Sequence, residues 1–181
     1  MGATDHDKPE EIVWQGKYIT TKTRGRWEYV SRSRGIRAAV ILAIDEGDHV
    51  LLVEQYRVPL GRNCIELPAG LIGDDDGGED EDALDAAGRE LEEETGYRAA
   101  SLENMGEFYS SPGMVSENFT LVRARGLTKI HEGGGVEGEN ITVHRVARTD
   151  LPAFLTSKRR EGCGTDVRML LLLGQEIIEG E

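Results

Sequence analysis

The sequence predicts a single α/β domain in which helices pack against a sheet. Three observations predict it. Short β-branched runs recur along the chain, the middle of the chain has apolar residues at helical spacing, and two further helical segments follow near the C-terminus. The chain has 181 residues, of which 38% are hydrophobic, which is enough for one sizeable core.

Strand patterns dominate the N-terminal part of the chain. Residues 14–33 alternate loosely between apolar and polar and contain turn glycines, which predicts an antiparallel strand pair ahead of the main domain. The runs 36–44 and 49–55 are apolar, and the Asp-Glu-Gly-Asp stretch between them predicts a hairpin. Residues 64–67 are predicted to form another short strand.

The central helix is predicted over residues 81–95. Ala87 and Leu91 stand four residues apart and therefore share one face, and Gly96 follows as a helix stop. Gly88 lies inside this helix, where glycine costs about 1 kcal/mol relative to alanine. A close neighbour at this position is therefore expected.

The second half of the chain is predicted to alternate between strands and loops before it ends in helices. The segments 102–109, 119–124 and 141–146 have strand patterns, and 151–157 and 166–178 have helical ones. The segment 129–140 is rich in glycine and acidic residues, and is interpreted as a flexible surface excursion or a lid.

Composition excludes several classes of protein. The formal net charge of −13 argues against nucleic acid or an anionic membrane as a partner. The N-terminus lacks a basic segment leading into an apolar one, so no signal peptide is expected, and the apolar run 169–173 is far too short to span a bilayer. Cys64 and Cys163 form no CxxC pair, which indicates unpaired thiols in a reducing cytoplasm.

The most informative stretch is Arg-Glu-Leu-Glu-Glu-Glu-Thr-Gly-Tyr, residues 89–97. On a helix, Glu90, Glu93 and Glu94 converge on one patch. Carboxylates this close together repel one another, so a positively charged partner is expected. Carboxylate oxygens are the ligands that Mg²⁺ prefers. The alternative is a solvated acidic helix face.

This stretch resembles the second half of the Nudix box, the sequence motif of the Nudix hydrolases, at every specified position. In the first half of the box, Asp75 stands where glycine is expected. We interpret residues 73–78 as an insertion and Gly70 as the box glycine. The first glutamate of the box is then Glu81, with Glu79 as a competitor.

The resemblance implies an α/β/α sandwich around a mixed sheet. It divides the chain into an N-terminal strand appendage, residues 1–33, which dimerises in similar enzymes, and a Nudix domain, residues 34–181. The segments Leu-Val-Glu-Gln-Tyr-Arg (52–57) and Ile-Glu-Leu-Pro-Ala-Gly (65–70), with Ser-Pro-Gly at 111–113, resemble the ADP-ribose pyrophosphatase branch. A homodimer is therefore expected.

The same resemblance assigns substrate-binding roles to residues of the appendage and of two loops: Tyr18, Trp27, Arg32, Arg57, Pro112, Gly113 and Glu117. Tyr18 and Trp27 would stack on the base, and the alternative for both is ordinary packing of a strand pair. Arg32 and Arg57 would bind the diphosphate or the terminal ribose, since a guanidinium matches phosphate with two bonds. A surface salt bridge is the alternative for each arginine.

The metal ligands implied by the resemblance are Glu90, Glu94, Glu93 and the backbone carbonyl of Ala69, which would hold Mg²⁺, with Mn²⁺ as a substitute. Arg89 would orient Glu93 or Glu81. The general base would be Glu139, on the loop before residues 141–146, with Glu137 as the alternate.

The function implied is Mg²⁺-dependent hydrolysis of ADP-ribose to AMP and ribose 5-phosphate. A second hypothesis changes only the substrate, to another nucleoside diphosphate sugar such as GDP-mannose. A third, of a different class, is a ligand-sensing Nudix domain without turnover. The intact acidic helix argues against this third hypothesis, and the distorted first half of the box argues weakly for it.

Overall fold

The computed structural model describes residues 4–33, 36–73, 81–136 and 138–174. Glu79, residues 74–78 of the insertion and the alternate base Glu137 lie outside these ranges.

The described residues form short strands and two α-helices. The strands are β1 (Glu10–Gln15), β2 (Ile19–Arg24), β3 (Trp27–Arg32), β4 (Arg37–Ala43), β5 (His49–Arg57), β6 (Arg62–Glu66), β7 (Ala69–Ile72), β8 (Tyr97–Arg98), β9 (Ser101–Tyr109), β10 (Asn118–Arg125), β11 (Thr128–Lys129), β12 (Thr142–Ala147) and β13 (Gly164–Thr165). The α-helices are α1 (Ala83–Thr95) and α2 (Leu151–Arg160), and short 3₁₀ helices span Asp5–Asp7, Val58–Leu60, Arg148–Asp150 and Val167–Leu173.

The strands are arranged in separate sheets. β1, β2 and β3 form an antiparallel sheet of their own at the N-terminus. The order in the second sheet is β7-β4-β10-β9, with β4 and β10 parallel, and in the third it is β12-β5-β6-β13, with β6 and β13 parallel. β8 and β11 form an additional antiparallel pair. Both larger sheets are therefore mixed.

The core lies on both faces of the central strands. Val40 and Leu42 of β4 belong to one buried apolar cluster, and Ala39 and Ile41 belong to another. α2 packs against the first cluster and α1 against the second. Since successive residues of a strand point to opposite faces, the helices cover opposite sides of the strands. The predicted α/β/α sandwich is confirmed.

α1 begins and ends where the sequence provides the signals. The side chain of Asp82 accepts a hydrogen bond from the Leu84 N–H at 2.8 Å, which caps the first turn. Gly96 ends the helix with a φ of 76°, a conformation that favours glycine. Gly88 has the expected close neighbour, because a Cβ there would lie 3.2 Å from Leu102 Cδ1.

Three expectations for individual elements were wrong. The appendage has three strands and not a pair. The segments predicted as a hairpin, β4 and β5, belong to different sheets and share a single bridge between Ile44 and Val50. Each is an interior strand with its own two neighbours, so no edge is left for the other. The predicted helix over 166–178 is, in its described part, a 3₁₀ helix ending at Leu173.

None of the helices in the described part of the chain has the length and apolar character needed to cross a bilayer.

Candidate active site

A cavity of about 580 Å³ opens between the second and third sheets and the C-terminal half of α1. Two sets of charged side chains stand out in its lining, which also includes Glu66, Glu117 and Asp166. The acidic set consists of Glu90, Glu94 and Glu139, and the arginine set consists of Arg32, Arg57 and Arg168. Both sets border one space, so a ligand that carries negative charge and binds cations could contact both.

Glu94 is the most deeply buried member of the acidic set. It is 5% exposed, and its Oε2 accepts a hydrogen bond from the Ala69 N–H at 3.0 Å. The pKa of this carboxyl is raised to about 8, chiefly by burial; the Ala69 hydrogen bond lowers it, and the negative charges of Glu90 and Glu139 raise it. A bound cation would favour the ionised form.

Glu90 depends on a glycine on the neighbouring strand. A Cβ at Gly70 would overlap the carboxylate of Glu90, so only glycine lets β7 approach α1 this closely with Glu90 in the cavity. Burial raises the pKa of Glu90, although Arg89 donates to its Oε1 at 2.9 Å. The close approach supports the interpretation of Gly70 as the box glycine.

Arg89 connects the glutamates of the box. Besides Glu90, its guanidinium lies 3.5 Å from Glu93 Oε2 and 3.4 Å from Glu81 Oε1. The other oxygen of Glu81 accepts from the Gly73 N–H at 3.0 Å, which ties α1 to the end of β7. Arg89 therefore has the geometry of an orienting residue. Glu93, predicted as a metal ligand, is paired with Arg89 and is not among the residues that line the cavity.

The acidic set has the chemistry of a divalent cation site but is not a complete cage. Among the described residues, no three His, Cys, Asp or Glu side chains are arranged to hold a metal ion by themselves. Mg²⁺ is commonly bound by one or two carboxylates together with waters and substrate phosphates. Two carboxyls with raised pKa values, the buried Glu94 and the partly buried Glu90, fit such a site. Ligation by the Ala69 carbonyl stays a prediction.

Glu139 reaches the cavity from the loop that follows β11. This loop is attached to the end of α1, because the N–H groups of Gly134 and Gly135 donate to the carbonyls of Glu94 and Glu93 at 2.8 and 3.0 Å. Glu139 Oε2 accepts from the Val136 N–H at 2.8 Å. Gly134 and Gly135 are therefore held against the C-terminal end of α1.

The arginine set is held by carboxylates. Arg57 donates from Nε and Nη2 to the two oxygens of Glu66 at 2.6 and 3.0 Å, and Glu66 is 2% exposed. Arg168 Nη2 donates to the same Glu66 at 2.8 Å. Arg32 Nε donates to Glu117 at 2.6 Å. The predicted residues Arg32, Arg57 and Glu117 thus border the cavity.

Sequence analysis missed Glu66, Asp166 and Arg168 as cavity residues. Glu66 lies within the segment 65–70 that carried the resemblance, and this position could have drawn attention to it. Asp166 and Arg168 had no such signal, because their segment was interpreted only as the start of a helix.

The predicted base-binding residues lie elsewhere. Trp27, Pro112 and Gly113 line a second recess of about 360 Å³, and Trp27 is 53% exposed. Tyr18 is 55% exposed and lines neither space. The recess and the cavity are adjacent along the chain, because Ser116 lines the recess and Glu117 lines the cavity.

Hydrogen bonds connect the appendage to the loop between these spaces. Val30 exchanges backbone hydrogen bonds with Met114 and Ser116, and the hydroxyls of Ser31 and Ser116 lie 2.8 Å apart. The appendage therefore takes part in building both the recess and the cavity.

A family model described as NUDIX domain matches residues 34–161. The chain belongs to the Nudix family. Members of this family that are hydrolases generally need a divalent metal, which agrees with the carboxyls of Glu90 and Glu94 on α1.

Curated relatives of this Nudix chain carry several descriptions. The ADP-ribose pyrophosphatase of Saccharomyces cerevisiae is 38% identical over 88% of this chain and 68% of its own length. The GDP-mannose pyrophosphatase of Cronobacter sakazakii is 37% identical over 77% of this chain and 72% of its own length. The methanol dehydrogenase activator of Bacillus methanolicus is 33% identical over 78% of this chain and 75% of its own length.

A solved structure described as an ADP compounds hydrolase has the same fold. Its TM-score with this chain is 0.67 at 23% identity, over 92% of this chain and 90% of that one.

Proposed function

We propose that this Nudix protein is a Mg²⁺-dependent enzyme that hydrolyses ADP-ribose to AMP and ribose 5-phosphate. The observation that carries the proposal is the cavity that joins the carboxyls of Glu90 and Glu94 to the arginine set. A diphosphate is the group that such a site suits, because its oxygens bind both divalent cations and guanidinium groups. The relative described as an ADP-ribose pyrophosphatase, alignable over 88% of the chain, supports this substrate.

Each residue has a defined task in the proposed reaction. Glu90 and Glu94 would hold the cation, which when bound would neutralise phosphate charge and make a water more acidic. Arg57 and Arg32 donate to non-bridging phosphate oxygens and orient the diphosphate. Glu139 accepts the proton of the attacking water, and Arg89 keeps Glu90 in place.

We also propose that the appendage forms a homodimer. It exposes a run of large apolar side chains, with Ile12, Val13 and Trp14 each more than half exposed. An apolar surface of this kind marks an association site, and a second copy of the chain would cover it. Tyr18, exposed in the turn between β1 and β2, would then reach the base site of the partner, and Trp27 would stack on the base in the second recess. The two free cysteines are consistent with a reducing cytoplasm.

The proposal is tested by incubating the purified protein with Mg²⁺ and ADP-ribose, GDP-mannose, NADH or diadenosine polyphosphates, and identifying the products by chromatography. We expect AMP and ribose 5-phosphate from ADP-ribose at the highest kcat/KM. Preference for another substrate in the panel would refute the ADP-ribose assignment. Tight binding without turnover of any of them would indicate a ligand-sensing domain.

GDP-mannose is the second candidate substrate, favoured by the relative that carries the name GDP-mannose pyrophosphatase. The acidic set and the arginine set would contact the diphosphate in the same way in both substrates. Competition between the two substrates in one reaction measures the preference directly.

A further inference from the structure

The C-terminal segment beyond the family match borders the proposed active site. Asp166, Val167 and Arg168 line the cavity, although the match to the family ends at residue 161. β13 fixes this segment to β6, with Thr165 opposite Ile65, and the Asp166 N–H donates to the Ile65 carbonyl at 3.0 Å. Because Glu66 follows Ile65, the segment is attached next to the carboxylate that holds Arg57.

Asp166, Arg168, Glu66 and Arg57 form a continuous relay of ion pairs, which we call the carboxylate relay. Arg168 donates from Nε and Nη2 to the two oxygens of Asp166 at 2.8 and 2.9 Å, and from Nη2 to Glu66 at 2.8 Å. Glu66 in turn accepts both bonds from Arg57. Paired bonds of this kind fix orientation as well as distance, because both groups are planar.

Arg57 is the most exposed member of the carboxylate relay. The side chains of Glu66 and Arg168 are 3% and 18% exposed, whereas that of Arg57 is 40% exposed. A guanidinium has five N–H donors. Arg57 uses Nε and Nη2 on Glu66, and none of the described residues accepts from its Nη1. The relay therefore leaves one edge of Arg57 available in the cavity.

We propose that Arg168, held by Asp166, is a positioning residue of this hydrolase. It fixes the Glu66 carboxylate, and the fixed carboxylate holds Arg57 in the orientation that receives the substrate diphosphate. This inference rests on the proposed function. The competing explanation is that the ion pairs only anchor the C-terminal segment.

A double-mutant cycle separates the two explanations. Arg57→Met, Arg168→Met and the double variant are compared in ADP-ribose hydrolysis. We expect Arg168→Met to raise KM about tenfold with kcat within about threefold, and the double variant to have the KM of Arg57→Met alone. Arg98→Met, which removes an exposed ion pair with Glu92 outside the cavity, is the control and should leave KM unchanged.

Additive effects of the two substitutions, or an unchanged KM in Arg168→Met, would overturn the positioning role. If Arg168→Met does not fold, Arg168→Lys replaces it in the cycle. Lysine keeps the charge but cannot make the forked contacts, so the same rise in KM and the same lack of additivity with Arg57→Met are expected.

The ¹⁵N resonance of the Arg57 Nε–H tests the relay without turnover. In the unmodified protein this signal should be protected from exchange, and Arg168→Met or Arg168→Lys should shift and broaden it while the signal of Arg32 stays in place. An unchanged Arg57 signal would refute the relay. A perturbed signal in a protein that does not hydrolyse ADP-ribose would refute the proposed function and leave the relay standing.

Discussion

Replacement of Glu94 by glutamine tests the acidic set most directly, because stability and activity should change in opposite directions. Glu94 is buried beside two other carboxyls, and its pKa in the folded protein is about 8, against an ordinary value of 4.5. One pKa unit corresponds to about 1.4 kcal/mol. At pH 7 the burial of this group therefore costs the metal-free folded protein on the order of 3 kcal/mol.

The sign of the effect follows from the direction of the pKa shift. The folded protein binds this proton more tightly than the unfolded chain does, so the stability of the metal-free protein falls as the pH rises from about 4.5 to about 8. Glu94→Gln removes the ionisable group, and its amide oxygen can still accept from the Ala69 N–H. The variant should therefore be more stable than the unmodified protein at pH 8 in EDTA, and nearly equal to it at pH 4.5.

Activity should be lost in the same variant. Loss of an essential acid or base typically costs roughly 10²–10⁴-fold, and loss of a metal ligand should cost at least as much. The assays are ADP-ribose hydrolysis at saturating Mg²⁺ and urea unfolding in EDTA at both pH values. Glu92→Gln, on the same helix but paired with Arg98 outside the cavity, is the control. Near-normal turnover by Glu94→Gln, or a stability difference that does not depend on pH, would refute the reasoning.

Three further predictions concern other parts of the site. Gly70→Ala should lower kcat/KM at least tenfold with little change in melting temperature, because the new methyl group displaces the flexible Glu90 carboxylate. Unchanged kinetics would exclude Glu90 as a cation ligand. Glu139→Gln should lower kcat by roughly 10²–10⁴-fold with KM little changed. A near-normal rate of hydrolysis in single-turnover experiments would show that Glu139 is not the base. Trp27→Ala should raise KM roughly tenfold to a hundredfold with a smaller effect on kcat, while light scattering still shows a dimer. An unchanged KM would indicate that Trp27 has only a packing role.

Local patterns were sufficient to predict the elements that determine the family. The carboxylates of α1 could be placed on one face because helical geometry depends only on spacing, and the stop at Gly96 depends on neighbouring residues alone. The acidic patch and the strand-and-helix layering followed from the sequence for this reason.

Pairing between strands could not be predicted in the same way. Residues 38–43 of β4 and 50–53 of β5 are apolar and fit a hairpin as well as two interior strands. In the structure β4 pairs with β10 and β5 pairs with β12, and both partners lie far along the chain. Strand register depends on which edges are available after folding, and a local pattern contains no information about those edges.

The residues of the site also divide into those that local spacing predicts and those that only folding brings together. The sequence by itself determined that Glu90 and Glu94 would share a patch and that Arg89 would lie beside them. Only the tertiary structure decided that Glu90 and Glu94 line the cavity while Glu93 pairs with Arg89, and it brought Arg168 against Glu66, which is 102 residues earlier in the chain. The physical reason is burial. Distant segments of the chain exclude water from Glu66 and Glu94, and that exclusion exists only in the folded protein.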